Sequence, residues 1–185
     1  MYRTIVETSQ KNLIVMDVFS KLVQERIIFI DGNIDNDLSN GVIAQMLYLD
    51  SLNHDPINIY IKTCGGDIYD GLAIYDTALL LGSPIHTYGL GIVASMGIPL
   101  MLMGSNRVST KHTRFMIHQP MGGVQGQVSD IEITAREIQK LKKELYTIIA
   151  NGSGNTYERI EKDSDRDYWM TAEEAKEYGI ITNIL

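Results

Sequence analysis

A serine on a predicted strand-to-helix turn is the first residue of this chain that could carry chemistry. Ser95 lies in Ala94-Ser95-Met96-Gly97, between small residues that follow a β-branched run. Such a turn exposes the hydroxyl and directs the next backbone N–H towards a bound substrate, as in the serine elbow of hydrolases. Val93 occupies the position where that motif has glycine, so the match is partial. Helix capping is the alternative role for Ser95.

A serine nucleophile needs a base, and His118 is the histidine whose surroundings suit that task. It ends the apolar run Phe115-Met116-Ile117 and precedes Pro120, which predicts a position at the lip of a buried strand. There the surroundings can set the tautomer of the imidazole. The other histidines, which have polar neighbours, are His54, His86 and His112. A purely structural role for His118 stays open.

The carboxylate that would orient this imidazole is not decided by the residues alone. Three aspartates precede Tyr168-Trp169 and are candidates: Asp163, Asp165 and Asp167. A solvated charged loop is the alternative interpretation of this cluster.

Paired glycines at Thr63-Cys64-Gly65-Gly66 form a second candidate site. Without Cβ atoms, their N–H groups could approach a developing negative charge closely, and a helix start behind them would add positive partial charge. A simple tight turn is the alternative. No Lys-Ser/Thr pair follows, which argues against a phosphate-binding loop. Cys64 is a rival nucleophile, because a thiol at a helix start has a lowered pKa.

Composition excludes several classes of protein. The 185 residues include 16 Lys and Arg against 23 Asp and Glu, a net charge of −7, and no basic run, which argues against binding nucleic acid. One cysteine permits no internal disulfide, and no apolar stretch reaches the length of about 18 residues that a membrane span needs. We therefore expect a cytoplasmic protein with no membrane segment, no metal and no cofactor.

The order of elements predicts an α/β protein with a mainly parallel sheet in one domain, 1–185. Short strand patterns alternate with helical patterns, as at Ile57–Ile61 followed by Ile68–Leu81. The longest predicted helix runs from Ser129 to Asn151, begins with the capping box Ser129-x-x-Glu132 and carries one apolar stripe. Whether this helix packs in the core or projects from the subunit stays open.

Three motifs in this order resemble the Clp protease family: Thr-Cys-Gly-Gly, Ala-Ser-Met-Gly and Phe-Met-Ile-His-Gln-Pro-Met-Gly-Gly. The similarity runs from about Asp17 to the C-terminus. It implies a crotonase-like fold with a flexible axial segment at 1–17. It also implies a projecting handle at about 119–151, made of the long helix and a strand at Gly122–Gln127.

The resemblance implies a catalytic set with Ser95 as nucleophile, His118 as base and Asp167 as the orienting acid. It implies three further pairs: the oxyanion-hole donors Gly66 and Met96, the substrate-binding residues Ile68 and Met121, and the ring–ring contacts Asp165 and Arg166.

The implied protein is a serine endopeptidase subunit that degrades unfolded proteins and peptides inside two stacked heptameric rings. The chain has no Walker pattern, so a separate Clp-type ATPase would supply energy. The chain departs from the family pattern at two positions. Cys64 stands where proline is usual. Asn58 replaces an aromatic residue of the ATPase-docking pocket, although the next aromatic residue, Tyr60, is kept. Mixed rings with a paralogue are therefore possible.

Three alternatives accompany this hypothesis. The chain could be a weakly active ring subunit that modulates an active paralogue. It could be a crotonase-type acyl-CoA enzyme, in which Ser95 and His118 would share no task. A thiol protease built on Cys64 is the third.

Overall fold

The computed structural model describes residues 4–9 and 12–185. The strands are β1 (Thr4–Ser9), β2 (Asn12–Asp17), β3 (Ile27–Ile34), β4 (Ile57–Gly66), β5 (Ile85–Ala94), β6 (Asn106–Ser109), β7 (Arg114–Ile117), β8 (Tyr168–Met170) and β9 (Asn183–Ile184). The helices are α1 (Val18–Gln24), α2 (Asn36–Leu52), α3 (Ile68–Leu80), α4 (Gly97–Leu102), α5 (Val128–Ser153), α6 (Tyr157–Asp163) and α7 (Ala172–Tyr178).

The central sheet is parallel along the path β3-β4-β5-β6-β9, which confirms the predicted α/β architecture. The helices α2 and α3 make the crossovers between its first three strands, as parallel pairing requires. On β4 the side chains of Ile57, Ile59, Ile61 and Thr63 are buried at every second position. This alternation places one face of the strand in the main core.

The strand β5 has two neighbours on one edge, and this branching positions the candidate site. Its first half, from His86 to Gly89, pairs with β6, whereas Ile92 to Ala94 pair with β7. Gly91, with φ +65°, lies between the two halves. The carboxyl ends of β5 and β7 therefore lie side by side, and the residues that follow these ends come together.

The two halves of α5 have different surroundings, so the alternatives of core helix and projecting helix each describe one half. The C-terminal half buries Leu141, Leu145, Tyr146, Ile149 and Ala150. The N-terminal half is mostly exposed: Val128 is 73% and Ile133 59% accessible. Burial of apolar surface therefore holds only the second half of α5 against this subunit.

The start of α5 corrects two predictions. The helix begins at Val128 after Gln127, which makes no side-chain cap, so the capping box at Ser129 and Glu132 is wrong. Residues 119–127 form no strand, so the strand at Gly122–Gln127 is also wrong for the single chain. Within the described ranges this glycine-rich segment has no adjacent strand to complete a ladder. The handle itself stays a prediction.

The N-terminal segment forms an antiparallel hairpin of β1 and β2 in its described part. Asp17 then caps α1 by accepting the N–H groups of Phe19 and Ser20. The predicted flexibility of residues 1–17 stays a prediction, and residues 1–3, 10 and 11 lie outside the described ranges.

Candidate active site

Ser95 lies at a sharp turn between β5 and α4, as its motif predicts. Its φ of +54° is unusual for a residue with a side chain, because the left-handed region costs roughly 1–2 kcal/mol. Two backbone hydrogen bonds hold this conformation: the Ser95 N–H donates to Met116 O at 2.9 Å, and Ser95 O accepts from the Ile98 N–H at 2.9 Å. The neighbouring strand thus imposes the turn that presents the hydroxyl.

His118 follows the end of β7 and reaches the serine directly. Its Nε2 lies 2.8 Å from Ser95 Oγ, within hydrogen-bond distance. The His118 side chain is only 12% exposed. When the neutral imidazole accepts the serine proton at Nε2, its own proton must be on Nδ1.

A carboxylate faces that second nitrogen. Asp167 Oδ1 lies 3.5 Å from His118 Nδ1, and the Asp167 side chain is 61% exposed. This separation allows an electrostatic contact but is longer than a good hydrogen bond. The chain therefore brings Ser95, His118 and Asp167 into one linear arrangement of hydroxyl, imidazole and carboxylate.

The other two candidate aspartates have different partners. Asp163 accepts a hydrogen bond from the Tyr178 hydroxyl at 2.9 Å, and its carboxylate lies 3.5 Å from Arg159. The Asp165 carboxylate lies 3.7 Å from Arg166, and both side chains are largely exposed. Of the three aspartates that the sequence left open, only Asp167 therefore lies at the imidazole.

The paired glycines of β4 lie against the serine turn. A Cβ on Gly65 would lie 2.6 Å from Ser95 Cβ and 3.1 Å from the backbone N of Met96. A Cβ on Gly66 would overlap the backbone of Ile34. Both positions thus need glycine for close approach, which places the end of β4 and the start of α4 around one spot.

A helix does start behind these glycines, as predicted, and its first N–H groups have a partner in the chain. Asp67 is the N-cap of α3, and its carboxylate accepts the N–H groups of Tyr69 and Asp70. These two N–H groups are thus already satisfied within α3. By contrast, Met96 at the start of α4 makes no side-chain cap.

A cleft of about 300 Å³ opens beside Ser95. The predicted residues that line it are Cys64, Gly66, Ile68, Ser95, Met96, His118 and Met121. Ile68 is partly buried, whereas Met121 is 82% exposed. Asp165 and Arg166 lie outside this lining.

Sequence reasoning missed one wall of the cleft. The buried side chains Leu145, Tyr146 and Ile149 of α5 line it together with Pro99 of α4, and Asn33 lies at the end of β3. Leu145 belongs to the predicted apolar stripe, but no local signal shows that the stripe faces the serine. Packing of α5 on α4 decides that.

Tyr146 makes this wall apolar despite its hydroxyl. The side chain is 1% exposed, and burial raises its pKa to about 12, so the phenol stays neutral. The nearby Ser164 hydroxyl opposes the shift, but neither hydroxyl makes a hydrogen bond of regular geometry to any described residue.

A row of aromatic rings lies on the sheet away from the cleft lining. Tyr60 stacks between Phe29 and Tyr88, with centroid distances of 5.4 and 4.7 Å, and Phe19 meets Phe29 edge-on at 5.5 Å. The Tyr88 hydroxyl is 3.3 Å from Asn58 Oδ1. Asn58 thus takes part in the polar edge of the same row.

The described ranges offer neither a membrane-spanning helix nor a cluster of metal ligands. Among residues 4–9 and 12–185, no helix combines the length and apolarity needed to cross a bilayer. In the same ranges, no group of three or more His, Cys, Asp and Glu side chains could hold a metal ion.

The fold and the site together define an α/β protein in which a serine and a histidine follow the carboxyl ends of β5 and β7, beside an aspartate that precedes β8. A family model described as Clp protease matches residues 9–185. The chain belongs to the Clp protease family.

Relatives agree over nearly the full chain. An ATP-dependent Clp protease proteolytic subunit of Bacteroides fragilis is 55% identical over 186 residues, which cover 98% of this chain and 89% of the relative. The protein of the same description from Porphyromonas gingivalis is 52% identical, with 98% and 83% covered. ATP-dependent Clp protease proteolytic subunit 1 of Salinibacter ruber is 45% identical, with 98% and 79% covered.

Proposed function

We propose that this chain is the serine endopeptidase subunit of an ATPase-dependent protease, and that it hydrolyses peptide bonds of unfolded proteins through an acyl-serine intermediate. The observation that carries the proposal is the 2.8 Å contact between Ser95 Oγ and His118 Nε2, with Asp167 on the far side of the ring. A nucleophile, its base and an orienting acid in this order are the requirement for acyl transfer.

In the acylation step, His118 Nε2 removes the proton from Ser95 Oγ as the oxygen attacks the peptide carbonyl. The ring then gives this proton to the leaving amine, and the carbon–nitrogen bond breaks. Asp167 holds the ring and stabilises the imidazolium that forms between these two transfers. A water molecule activated by His118 hydrolyses the acyl-serine and restores the enzyme.

The tetrahedral intermediate carries a negative oxygen, which the backbone N–H groups of Gly66 and Met96 would stabilise. Their candidacy rests on the close approach of β4 to the serine turn, where a Cβ on Gly65 would lie 3.1 Å from the backbone nitrogen of Met96. Each such donor contributes about 3–4 kcal/mol to transition-state stabilisation.

The substrate would be an extended peptide held through its backbone by Ile68 and Met121, which both line the cleft. The wall of Leu145, Tyr146 and Ile149 would receive an apolar side chain of that peptide, since it offers no ionised group.

Enclosure of the active sites within an assembly would limit which proteins this unselective enzyme can cleave. In this proposal the subunits form two stacked heptameric rings, either homomeric or mixed with a paralogue, on a crotonase-like fold. The handle at 119–151 and the pair Asp165 and Arg166 would join the rings. Two observations support this: the exposed apolar residues on the first half of α5, and the exposure of the Asp165–Arg166 pair.

A Clp-type ATPase would unfold substrates and feed the chamber in the cytoplasm. Its docking site would include Tyr60, within the aromatic row that Phe29 and Tyr88 continue. Asn58 makes the edge of this row more polar, so its effect on docking is a property to measure.

Substitution of the nucleophile tests the proposal. We expect Ser95→Ala to lower peptide hydrolysis on the order of 10⁶-fold, because serine and histidine act as a unit. The assay is cleavage of a fluorogenic peptide by the assembled ring, with labelling by a fluorophosphonate as an independent measure of nucleophilicity. Near-normal cleavage by an assembled Ser95→Ala ring would refute the assignment.

Fluorophosphonate labelling, together with mixing and thioester-binding measurements, separates the competing functions. A modulatory subunit would label poorly alone and would raise the activity of an added partner ring. An acyl-CoA enzyme would bind a CoA thioester and would have no use for the contact of Ser95 with His118. We expect direct labelling of Ser95 and no thioester binding.

A further inference from the structure

The segment that carries Asp167 is restrained at both ends but exposed in its middle. At one end, the buried Ser164 closes α6 through its N–H, which donates to Ile160 O at 2.9 Å. At the other end, Tyr168 begins β8 and pairs with Ile117 of β7. Residues 165–167 between these anchors are all exposed.

The Asp167 side chain is exposed and makes few polar contacts that could fix its orientation. Among the described residues, its one recorded polar contact is the 3.5 Å approach to His118 Nδ1. That distance is too long for a strong hydrogen bond, so it cannot define the orientation of the carboxylate. The position of the acid must therefore come from the backbone of residues 165–167.

The side chain of Gln119 links this backbone to the segment that carries His118. Gln119 directly follows His118, and its amide Nε2 donates to the backbone carbonyl of Asp165 at 2.9 Å. A carbonyl oxygen only accepts, so the amide must present its NH₂ group here. Gln119 is partly buried, whereas Asp165 is exposed, so this bond lies at the surface of the subunit.

The same carbonyl accepts a second hydrogen bond, but that bond does not link the segment to His118. The Arg166 guanidinium donates to Asp165 O at 2.8 Å, and it belongs to the exposed segment itself. A bond within the segment cannot set its distance from His118. The bond from Gln119 can, because it joins residues that are 46 positions apart.

We infer that Gln119 is a positioning residue that holds Asp167 at the imidazole of His118 by fixing the Asp165 carbonyl. This inference rests on the proposed function. Gln119 touches neither of the reacting atoms, so its effect passes through the acid. Loss of the amide lets residues 165–167 move, the imidazole loses its orientation, and proton transfer from Ser95 slows.

The test compares three single variants in the assembled protein. Gln119→Met keeps the size of the side chain and removes the donor, and Gln119→Glu keeps the shape but offers only an acceptor. Gln24→Met is the matched control, since Gln24 is exposed at the end of α1, outside both the cleft lining and the proposed handle. The readouts are kcat and KM for a fluorogenic peptide, the rate of fluorophosphonate labelling, and sedimentation velocity for assembly.

We expect Gln119→Met to lower kcat about tenfold with KM changed less than about twofold, as loss of one positioning hydrogen bond predicts. Gln119→Glu should lower kcat further, because its carboxylate repels both the Asp165 carbonyl and Asp167. The labelling rate should fall in parallel, and Gln24→Met should match the parent chain in every readout.

A double-mutant cycle tests whether the effect passes through the acid. In an Asp167→Ala background, Gln119→Met should change kcat by less than about twofold, since no carboxylate is left to position. An equal loss in both backgrounds would overturn the inference. So would parental kcat in Gln119→Met, a loss confined to KM, or a loss explained by changed sedimentation.

Failure of the proposed function would be recognised separately. Peptide cleavage that survives Ser95→Ala would refute the proposed function whatever Gln119 does. Cleavage that is abolished by Ser95→Ala and unaffected by Gln119→Met would overturn only the inference about Gln119.

Discussion

Adding one methyl group at Gly65 should damage the site by a route that can be worked out from the coordinates. The new Cβ would lie 2.6 Å from Ser95 Cβ, so the two atoms must separate by about 0.8 Å to reach ordinary van der Waals contact. Because Ser95 is held between the backbones of Met116 and Ile98, the shift displaces the hydroxyl from His118 Nε2.

The expected loss has two parts. A misplacement near 1 Å costs on the order of 10²-fold in rate, so we expect Gly65→Ala to lower kcat by about that factor. The φ of +104° at Gly65 is also unfavourable for alanine, at roughly 1–2 kcal/mol of stability. Peptide cleavage measures the first part and urea unfolding the second.

Gly32 offers a matched control for this prediction. Its φ is +92°, and a Cβ there would meet nothing within 4 Å. Gly32→Ala should therefore lower stability by about the same 1–2 kcal/mol while kcat stays within about threefold of the parent. If Gly65→Ala also keeps parental kcat, or if both variants lose activity equally, the proposed contact of β4 with the serine turn does not govern catalysis.

Three further predictions follow from single residues. Cys64→Ser should keep kcat within about threefold, because serine chemistry does not need the thiol. A bulky maleimide on Cys64 should instead slow peptide cleavage, because Cys64 lines the cleft. An inactive Cys64→Ser variant would favour the thiol protease. Hydrogen bonds from Ser83 lower the pKa of Asp50 from 3.8 to about 2, so the Asp50 carboxylate stabilises the fold fully above pH 3.8 and loses this effect as the pH falls through about 2. The free energy of unfolding of Asp50→Asn, measured in urea, should therefore depend less on pH in that window. A pH profile identical to that of the parent chain would contradict this. Arg107 donates to the carbonyl of Gly152 near the end of α5 and to that of Gly179, the C-cap of α7. Arg107→Met should therefore lower the free energy of unfolding by about 2–4 kcal/mol, and a loss below about 0.5 kcal/mol would show that these bonds do not stabilise the fold.

Local patterns were sufficient to predict the elements that carry the site. The strand predicted at Ile57–Ile61 lies within β4, and the helix predicted at Ile68–Leu81 is α3, which ends one residue earlier at Leu80. The turn at Ser95 also follows from its small neighbours, and its positive φ matches the predicted elbow. These features depend on residues within one or two helical turns of each other.

Predictions at element ends were weaker, because tertiary pairing overrides local turn signals. The strand predicted at Ile57–Ile61 continues to Gly66, because Gly65 and Gly66 still pair with Asn33 and Ile34 of β3. The capping box at Ser129 fails for a related reason. The helix gains one more residue at Val128 when the glycine-rich segment before it has no ladder to join.

The sequence alone determined which groups could act: a serine on a turn, a histidine after an apolar strand, and one of three aspartates. It did not determine which aspartate orients the imidazole. The choice of Asp167 came from the antiparallel pairing of β8 with β7, which brings that carboxylate to the imidazole. The apolar wall from α5 was likewise decided only by helix packing. The physical reason is the same in both cases: the chemistry of a side chain is a local property, whereas its distance from a partner many residues away is set by the whole chain.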